Sequence, residues 1–178
     1  MTAPDVVTEM FAAYRTSLDS LEGKLGNAFS DAVDLLEGMS GKVVVCGMGK
    51  SGLVGTKITA TLTSTGTPSV FLHPAEAMHG DLGIVRKGDV VILISNSGET
   101  EEITRLLPAL KRLAVRIIAL VGNVDSTMAR AADICLDAAI DKEACPLNLA
   151  PTTSTLAALV LGDALAVALM ERLSLIHI

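Results

Sequence analysis

Two short stretches hold most of the residues able to do chemistry. The first, VVVCGMGKSG at 43–52, closes a β-rich run with a glycine turn that presents Lys50 and Ser51. The second, ISNSGETEE at 94–102, follows another apolar run and gathers Ser95, Asn96, Ser97, Thr100 and Glu102 in one loop. Glycine turns of the first kind bring backbone N–H groups against phosphate at a helix N-terminus. Gly47, Gly49 and Gly52 satisfy the dinucleotide pattern G-x-G-x-x-G, while Gly49-Lys50-Ser51 matches the end of a triphosphate-binding P-loop. A P-loop would need its first glycine where Val44 stands, inside the strand, so that reading fails. The dinucleotide reading needs an acidic residue closing the second strand, to hold ribose hydroxyls. That strand runs SVFLHP and closes on His73. What survives is a tight turn whose N–H groups, hydroxyl and cation suit a compact anion. The serine-rich loop adds hydroxyls at the start of a predicted helix, where N–H groups and the dipole favour the same partner. Read blandly, Gly52 serves only helix–strand packing, Ser97 or Thr100 caps a helix, and the glutamates are ordinary first-turn residues. Two polar loops on adjacent strands, without a ribose-binding acid, point instead to a small monophosphate.

These loops need a scaffold, and the residue texture supplies one. Helical spacing runs from about 5 to 38, with the Gly26-Asn27 pair separating two helices. Short β-rich runs follow at 42–46, 69–72, 89–94, 115–121 and 133–136, with helical segments near 52–65, 75–80, 99–113 and 126–131 and a last helix over about 152–172. Continuous apolar strands alternating with helices predict a doubly wound α/β fold, a five-stranded parallel sheet covered on both faces. Ligands of such sheets collect at the carboxyl ends of the strands, which makes the loops 47–52, 73–81, 95–102 and 139–152 the ones to watch.

Composition narrows the function classes. A chain of 178 residues with 50% hydrophobic content can bury one sizeable core, and 2% aromatics means that the core is built from Ala, Val, Leu and Ile. A net charge of −6 argues against nucleic acid as a partner. Cys46, Cys135 and Cys145 lack C-x-x-C spacing and suit a reducing cytosol. The N-terminal stretch has early acids and no apolar signal region, and the expected location is cytoplasmic. The most apolar stretch, Leu156–Met170, is interrupted by Gly162 and Asp163 and falls short of the roughly 20 residues of a membrane span. It reads as a buried helix, and its all-round apolar character marks a subunit interface.

With GMGKSG, STGTP (64–68), HPAEAMHGDLG (73–83), ISNSGET and KEACPLNLAPTTST (142–155), the sequence resembles the D-arabinose 5-phosphate isomerases, enzymes of the sugar isomerase (SIS) domain. The similarity spans about 40–172. The resemblance implies interconversion of D-ribulose 5-phosphate and D-arabinose 5-phosphate, a supply step for Kdo and lipopolysaccharide, with no cofactor. It implies proton-transfer and electrostatic roles for Lys50, Glu102 and Glu143. It implies substrate contacts at Gly66, Thr67, His73 and His79, an inhibitory zinc at His73, and a phosphate pocket from Ser51, Ser95, Ser97 and Thr100, and Asn96 of the same loop is taken as a further substrate-binding residue. It also implies a homodimer or homotetramer with shared sites. The chemistry agrees: moving a proton between C1 and C2 through an enediol needs a base of near-neutral pKa, a second acid/base group and positive charge beside the oxyanion. A sugar-phosphate-sensing SIS module, or an isomerase for a different phosphosugar, is the alternative.

The domain expectation is then residues 1–40 as helices packing on the core or a partner subunit, 41–172 as the SIS domain, and 173–178 as a non-native tail. LSLIHI differs in texture from what precedes it and matches one reading frame of a common sequencing adapter. In full-length relatives the chain continues into a Ser-His-Pro-Gly-Gly loop with a further catalytic histidine, and commonly into CBS domains. His177 lacks the neighbours of that loop and is given no role.

Overall fold

The computed structural model describes residues 2–173. The tail expectation, apart from Leu173, lies outside the described residues. Two N-terminal helices, α1 (Ala3–Lys24) and α2 (Asn27–Glu37), precede the sheet. The strands are β1 (Val43–Gly47), β2 (Ser69–Leu72), β3 (Val90–Ser95), β4 (Arg116–Val121) and β5 (Ile134–Asp137). They pair in the order β2-β1-β3-β4-β5, every neighbouring pair parallel. The predicted five-stranded doubly wound sheet is therefore the observed one. Its order reverses between β1 and β3, and a crevice opens at such a switch point.

Strand alternation sorts the core into two layers. Val43, Val45, Ile92, Ile94, Ile118 and Leu120 face one cluster, shared with the first two helices, α3 (Gly49–Ser64) and α8 (Thr153–Arg172). Val44, Cys46, Val91, Leu93, Ile117 and Ala119 face the other, covered by α4 (Pro74–Met78), α5 (Glu101–Thr104), α6 (Leu107–Arg112) and α7 (Thr127–Ala131). A 3-10 turn at Asp81–Ile84 links α4 to β3.

The structure departs from expectation in two places that bear on the site. The glycine turn is not a free loop: α3 begins at Gly49, so Lys50 and Ser51 sit in its first turn. Gly49 takes a left-handed φ of 57°, and a Cβ on Gly52 would lie 2.7 Å from the Gly47 carbonyl oxygen, which lets the helix close directly onto β1. The helix predicted over 99–113 is broken into α5 and α6, because Pro108 in the first turn of α6 has no N–H to continue the earlier helix. A single turn has little dipole, so the anion attraction expected of that helix is largely lost.

α8 corrects the membrane argument. It is 20 residues long and by length and composition could cross a membrane, so shortness does not exclude a span. Packing is the better guide: Ala157, Leu161, Leu165, Ala166 and Leu169 are buried in the core beside α3, while Lys57 pairs with Asp163. The crossing of α3 and α8 is close because Gly162 has no side chain; a Cβ there would meet Cδ1, Cγ1 and Cγ2 of Ile58 at 2.3, 2.4 and 3.0 Å. Ile58 is fully buried and touches through both of its branches, so turning one away does not relieve the other. Gly162→Ala is expected to lose about 1–2 kcal/mol overall, after helix propensity returns roughly 1 kcal/mol. A lower urea midpoint checks this; an unchanged midpoint would show that the two helices can separate freely.

Candidate functional site

The crevice at the switch point holds a cavity of about 450 Å³. Lys50 and Ser51 from the start of α3, Asn96 after β3, and the segment Ile140–Glu143 after β5 form its walls, and Ser154 of α8 completes it. Lys50 is exposed, and none of the ion pairs among the described residues engages it. The first N–H groups of α3 lack helical partners by geometry and stand beside it. Cation, N–H groups and hydroxyl thus converge at one mouth, which suits an anionic ligand.

Glu143 faces the same cavity from the loop before α8. Its Oε2 accepts from the Thr152 N–H at 2.8 Å, the Thr152 hydroxyl at 3.1 Å and the Ser154 N–H at 3.2 Å. The Ser154 hydroxyl donates to Oε1. The carboxylate therefore caps α8, whose own N-cap residue, Thr152, makes no side-chain cap bond. Partial burial pushes the Glu143 pKa up, but the donors on Ser154 and Thr152 outweigh it and hold it below the ordinary carboxylate value. The near-neutral base expected from the chemistry is thus not what this residue is in the folded chain. A charged Glu143 is available at neutral pH, but with less basicity than an ordinary glutamate.

The serine-rich loop forms a hydroxyl knot. Ser95 is 3% exposed; its Oγ bonds to Thr100 Oγ1 at 2.7 Å and Ser97 Oγ at 3.4 Å and accepts the Gly98 N–H at 3.0 Å. Ser97 also accepts the Glu99 N–H at 3.2 Å. Ser95 and Thr100 are engaged inside the loop, whereas Asn96 and Ser97 are exposed. The three glutamates divide as well. Glu99 accepts the Thr127 N–H at the start of α7 at 2.6 Å, and Glu101 pairs with Arg105. Glu102 is half-buried and forms no hydrogen bond or ion pair through its side chain among the described residues, and it does not line the cavity of Lys50 and Glu143.

Other expected site residues lie elsewhere. His73 caps α4, its Nδ1 accepting the Ala75 N–H at 3.3 Å, and His79 is exposed at the end of the same helix, beside the edge strand β2. Among the described residues no group of three or more His, Cys, Asp or Glu side chains is placed to hold a metal ion, at His73 or elsewhere. Gly66 and Thr67 precede β2, at the amino ends of the strands. The stretch of α3 from Lys50 to its end at Ser64 separates them from Lys50, about 21 Å of helix. Within one chain they do not share its cavity, although the buried Thr67 hydroxyl is left without a partner.

Sequence reasoning named the KEACPLNLAPTTST segment but passed over Asn148, Thr152 and Ser154. A cluster of hydroxyl residues just before an apolar helix, with a glutamate upstream, is the signal that would have found the cap. The same loop sets the thiols apart. Cys145 Sγ accepts N–H groups of Leu149 and Ala150 at 3.0 and 3.1 Å. Those bonds from Ala150 and Leu149 lower its pKa, whereas burial pushes Cys46 up to about 12 and also raises Cys135. Iodoacetamide at neutral pH is expected to label Cys145 first, read by peptide mass mapping; earlier labelling of Cys46 would contradict the geometry.

Comparison with known proteins is consistent with this architecture. Residues 39–168 match the SIS domain model. Arabinose 5-phosphate isomerase KdsD of Pseudomonas aeruginosa is 59% identical over 157 residues, 88% of this chain and 48% of that protein. KdsD of Escherichia coli K12 is 56% identical over 163 residues, 92% of this chain and 50% of that protein. The chain thus spans about half the length of the curated relatives it matches. A solved Escherichia coli CFT073 protein in complex with arabinose 5-phosphate superposes with a TM-score of 0.92 at 40% identity, covering 98% of this chain and 94% of that one. With the model matching most of its length, this chain belongs to the SIS domain family.

Proposed function

We propose that the chain is the isomerase domain of an aldose–ketose isomerase that interconverts D-ribulose 5-phosphate and D-arabinose 5-phosphate through an enediol. The observation that carries this reading is the single cavity lined by Lys50, Ser51, Asn96 and Glu143. In it, Ser51, Asn96 and the neighbouring Ser97 bind the phosphate end, with Ser95 and Thr100 fixing their loop. Glu143 moves the carbon-bound proton between C1 and C2. Lys50 stabilises the oxyanion, which a preorganised charge does most effectively where water is restricted. Glu102, unpartnered on α5, is the second acid/base candidate, and His73 and His79 extend the substrate contacts from α4. The relatives named for arabinose 5-phosphate and the solved neighbour bound to that sugar phosphate support the choice of pentose phosphate. On this reading the enzyme is cytoplasmic, works without a cofactor, and supplies Kdo for lipopolysaccharide. Exposed Val7 and Phe11 on α1 and Val167 on α8 are the contacts of a homo-oligomer.

A coupled assay offering pentose, hexulose and heptulose phosphates side by side tests the proposal. Turnover confined to the D-arabinose 5-phosphate and D-ribulose 5-phosphate pair is the expected result. Preference for a hexulose or heptulose phosphate would reassign the substrate, and saturable binding without turnover of any sugar would make the domain a sensor.

A further inference from the structure

Glu143 is held from three directions that the proposed chemistry does not itself require. Its carboxylate takes the Thr152 and Ser154 N–H groups and both their hydroxyls. Its own N–H donates to Asn148 Oδ1 at 2.6 Å, and Asn148 adopts a left-handed φ of 52° to make that bond. The next residue is tied as well, Ala144 N–H donating to Thr152 Oγ1 at 2.9 Å. A left-handed non-glycine residue on the Glu143 backbone, and a threonine whose hydroxyl accepts from Ala144 and is shared between Glu143 and the Ala150 carbonyl at 3.2 Å, exceed what capping a helix needs.

We propose that Ser154 and Thr152 are positioning residues for proton transfer by Glu143, with Asn148 fixing the backbone that carries it. The inference rests on Glu143 being the proton carrier of the proposed isomerase. The donors are distributed unevenly: three reach Oε2 and only the Ser154 hydroxyl reaches Oε1. A carboxylate oxygen accepts about two hydrogen bonds, so Oε2 is saturated and Oε1 keeps acceptor capacity. Oε1 is then the atom that receives the carbon-bound proton, and the Ser154 hydroxyl sets its direction. The arrangement also keeps Glu143 charged. The other titratable groups lining the cavity are Lys50 from α3 and Asp141 and Lys142 from the same loop, and Glu9 of α1 lines the adjoining groove.

The test compares Ser154→Ala, Thr152→Val and Thr152→Ser with the parent protein. Removing a hydroxyl that favours the carboxylate raises the proton affinity of Glu143, so the acid limb of the kcat profile must move to higher pH. Ser154→Ala and Thr152→Val are expected to shift that limb upward and to lower kcat, about tenfold for Ser154→Ala, with KM nearly unchanged. Thr152→Ser keeps the hydroxyl and should restore parent behaviour. Independently of turnover, the side-chain carboxyl carbon of Glu143, followed by NMR in glutamate-labelled protein, should titrate at higher pH in the first two variants. An unmoved resonance and an unmoved acid limb in both would overturn the inference, since the two hydroxyls would then not govern the proton affinity of Glu143; a merely structural cap would move the resonance but not the acid limb of kcat. A moved resonance with an unchanged rate would instead reject Glu143 as the proton carrier, and with it the reading on which the inference rests.

Discussion

Lys50→Ala is expected to lower turnover on the order of a hundredfold while leaving the thermal midpoint of the protein essentially unchanged. The two halves of that result follow from where Lys50 sits. It occupies the first turn of α3, is exposed, and is not engaged in any of the ion pairs among the described residues, so the fold loses almost nothing with it. Lysine is also no better placed than alanine for helix propensity at that position. In the cavity its role is different. The enediolate carries charge that the ground-state sugar phosphate lacks, so an ammonium fixed beside it stabilises the transition state more than the substrate. Removing one such group costs about 3 kcal/mol, with the loss in kcat rather than KM. Parent turnover in a folded Lys50→Ala protein would make the residue an ordinary surface charge and leave Lys142 as the cation lining the cavity.

The sheet was legible because its strands are buried on both faces and read as uninterrupted apolar runs, from VVVC to RIIALV. The carboxyl-end rule pointed to 47–52, 95–102 and 139–152, which contribute to the cavity, and to 73–81, which does not. Local features decided by tertiary geometry were less legible. That Lys50 and Ser51 would be helical depends on Gly49 and Gly52 allowing α3 to close onto β1, a contact no spacing pattern encodes. The apolar and charged pattern over 99–113 has helical periodicity, yet Pro108 splits it and removes the dipole on which the anion argument leaned. Gly66 and Thr67 lie close in sequence to His73, but β2 intervenes, placing them at opposite ends of the strand. Length alone misjudged α8, because a core helix packed against α3 and a membrane helix share the same apolar composition. The Glu143 clasp was invisible for another reason. Its partners at Asn148, Thr152 and Ser154 are brought back to it by a loop that turns through a left-handed asparagine.

Glu143→Gln and Glu102→Gln, made side by side, are expected to separate the two candidate carboxylates. Glutamine keeps the shape of glutamate but accepts no proton at neutral pH, so an essential base is lost without opening a hole. The readout is incorporation of solvent deuterium at the sugar carbon, which reports proton abstraction even if product release limits turnover. Glu143 shares its cavity with Lys50, whereas Glu102 lies outside it in the same chain. Exchange should therefore fall by about 10²–10⁴ in Glu143→Gln, the range for losing a positioned acid/base group, and by less in Glu102→Gln. A stability effect must be removed first, because the Glu143 carboxylate also caps α8 and glutamine is a weaker acceptor there. The folded-state pKa of Glu143 is lowered, so its contribution to stability is fully present above the ordinary glutamate value and is lost as pH falls through the lowered one. At neutral pH the parent keeps that contribution and Glu143→Gln forfeits part of it at every pH. The stability gap between the two proteins should accordingly narrow in acid, whereas the gap in exchange at neutral pH persists after correction for the folded fraction. Exchange at the parent rate in both glutamine variants would rule out a carboxylate base and move proton abstraction to another group; a larger loss at Glu102 than at Glu143 would place proton abstraction on α5 and leave Glu143 as the cap of α8.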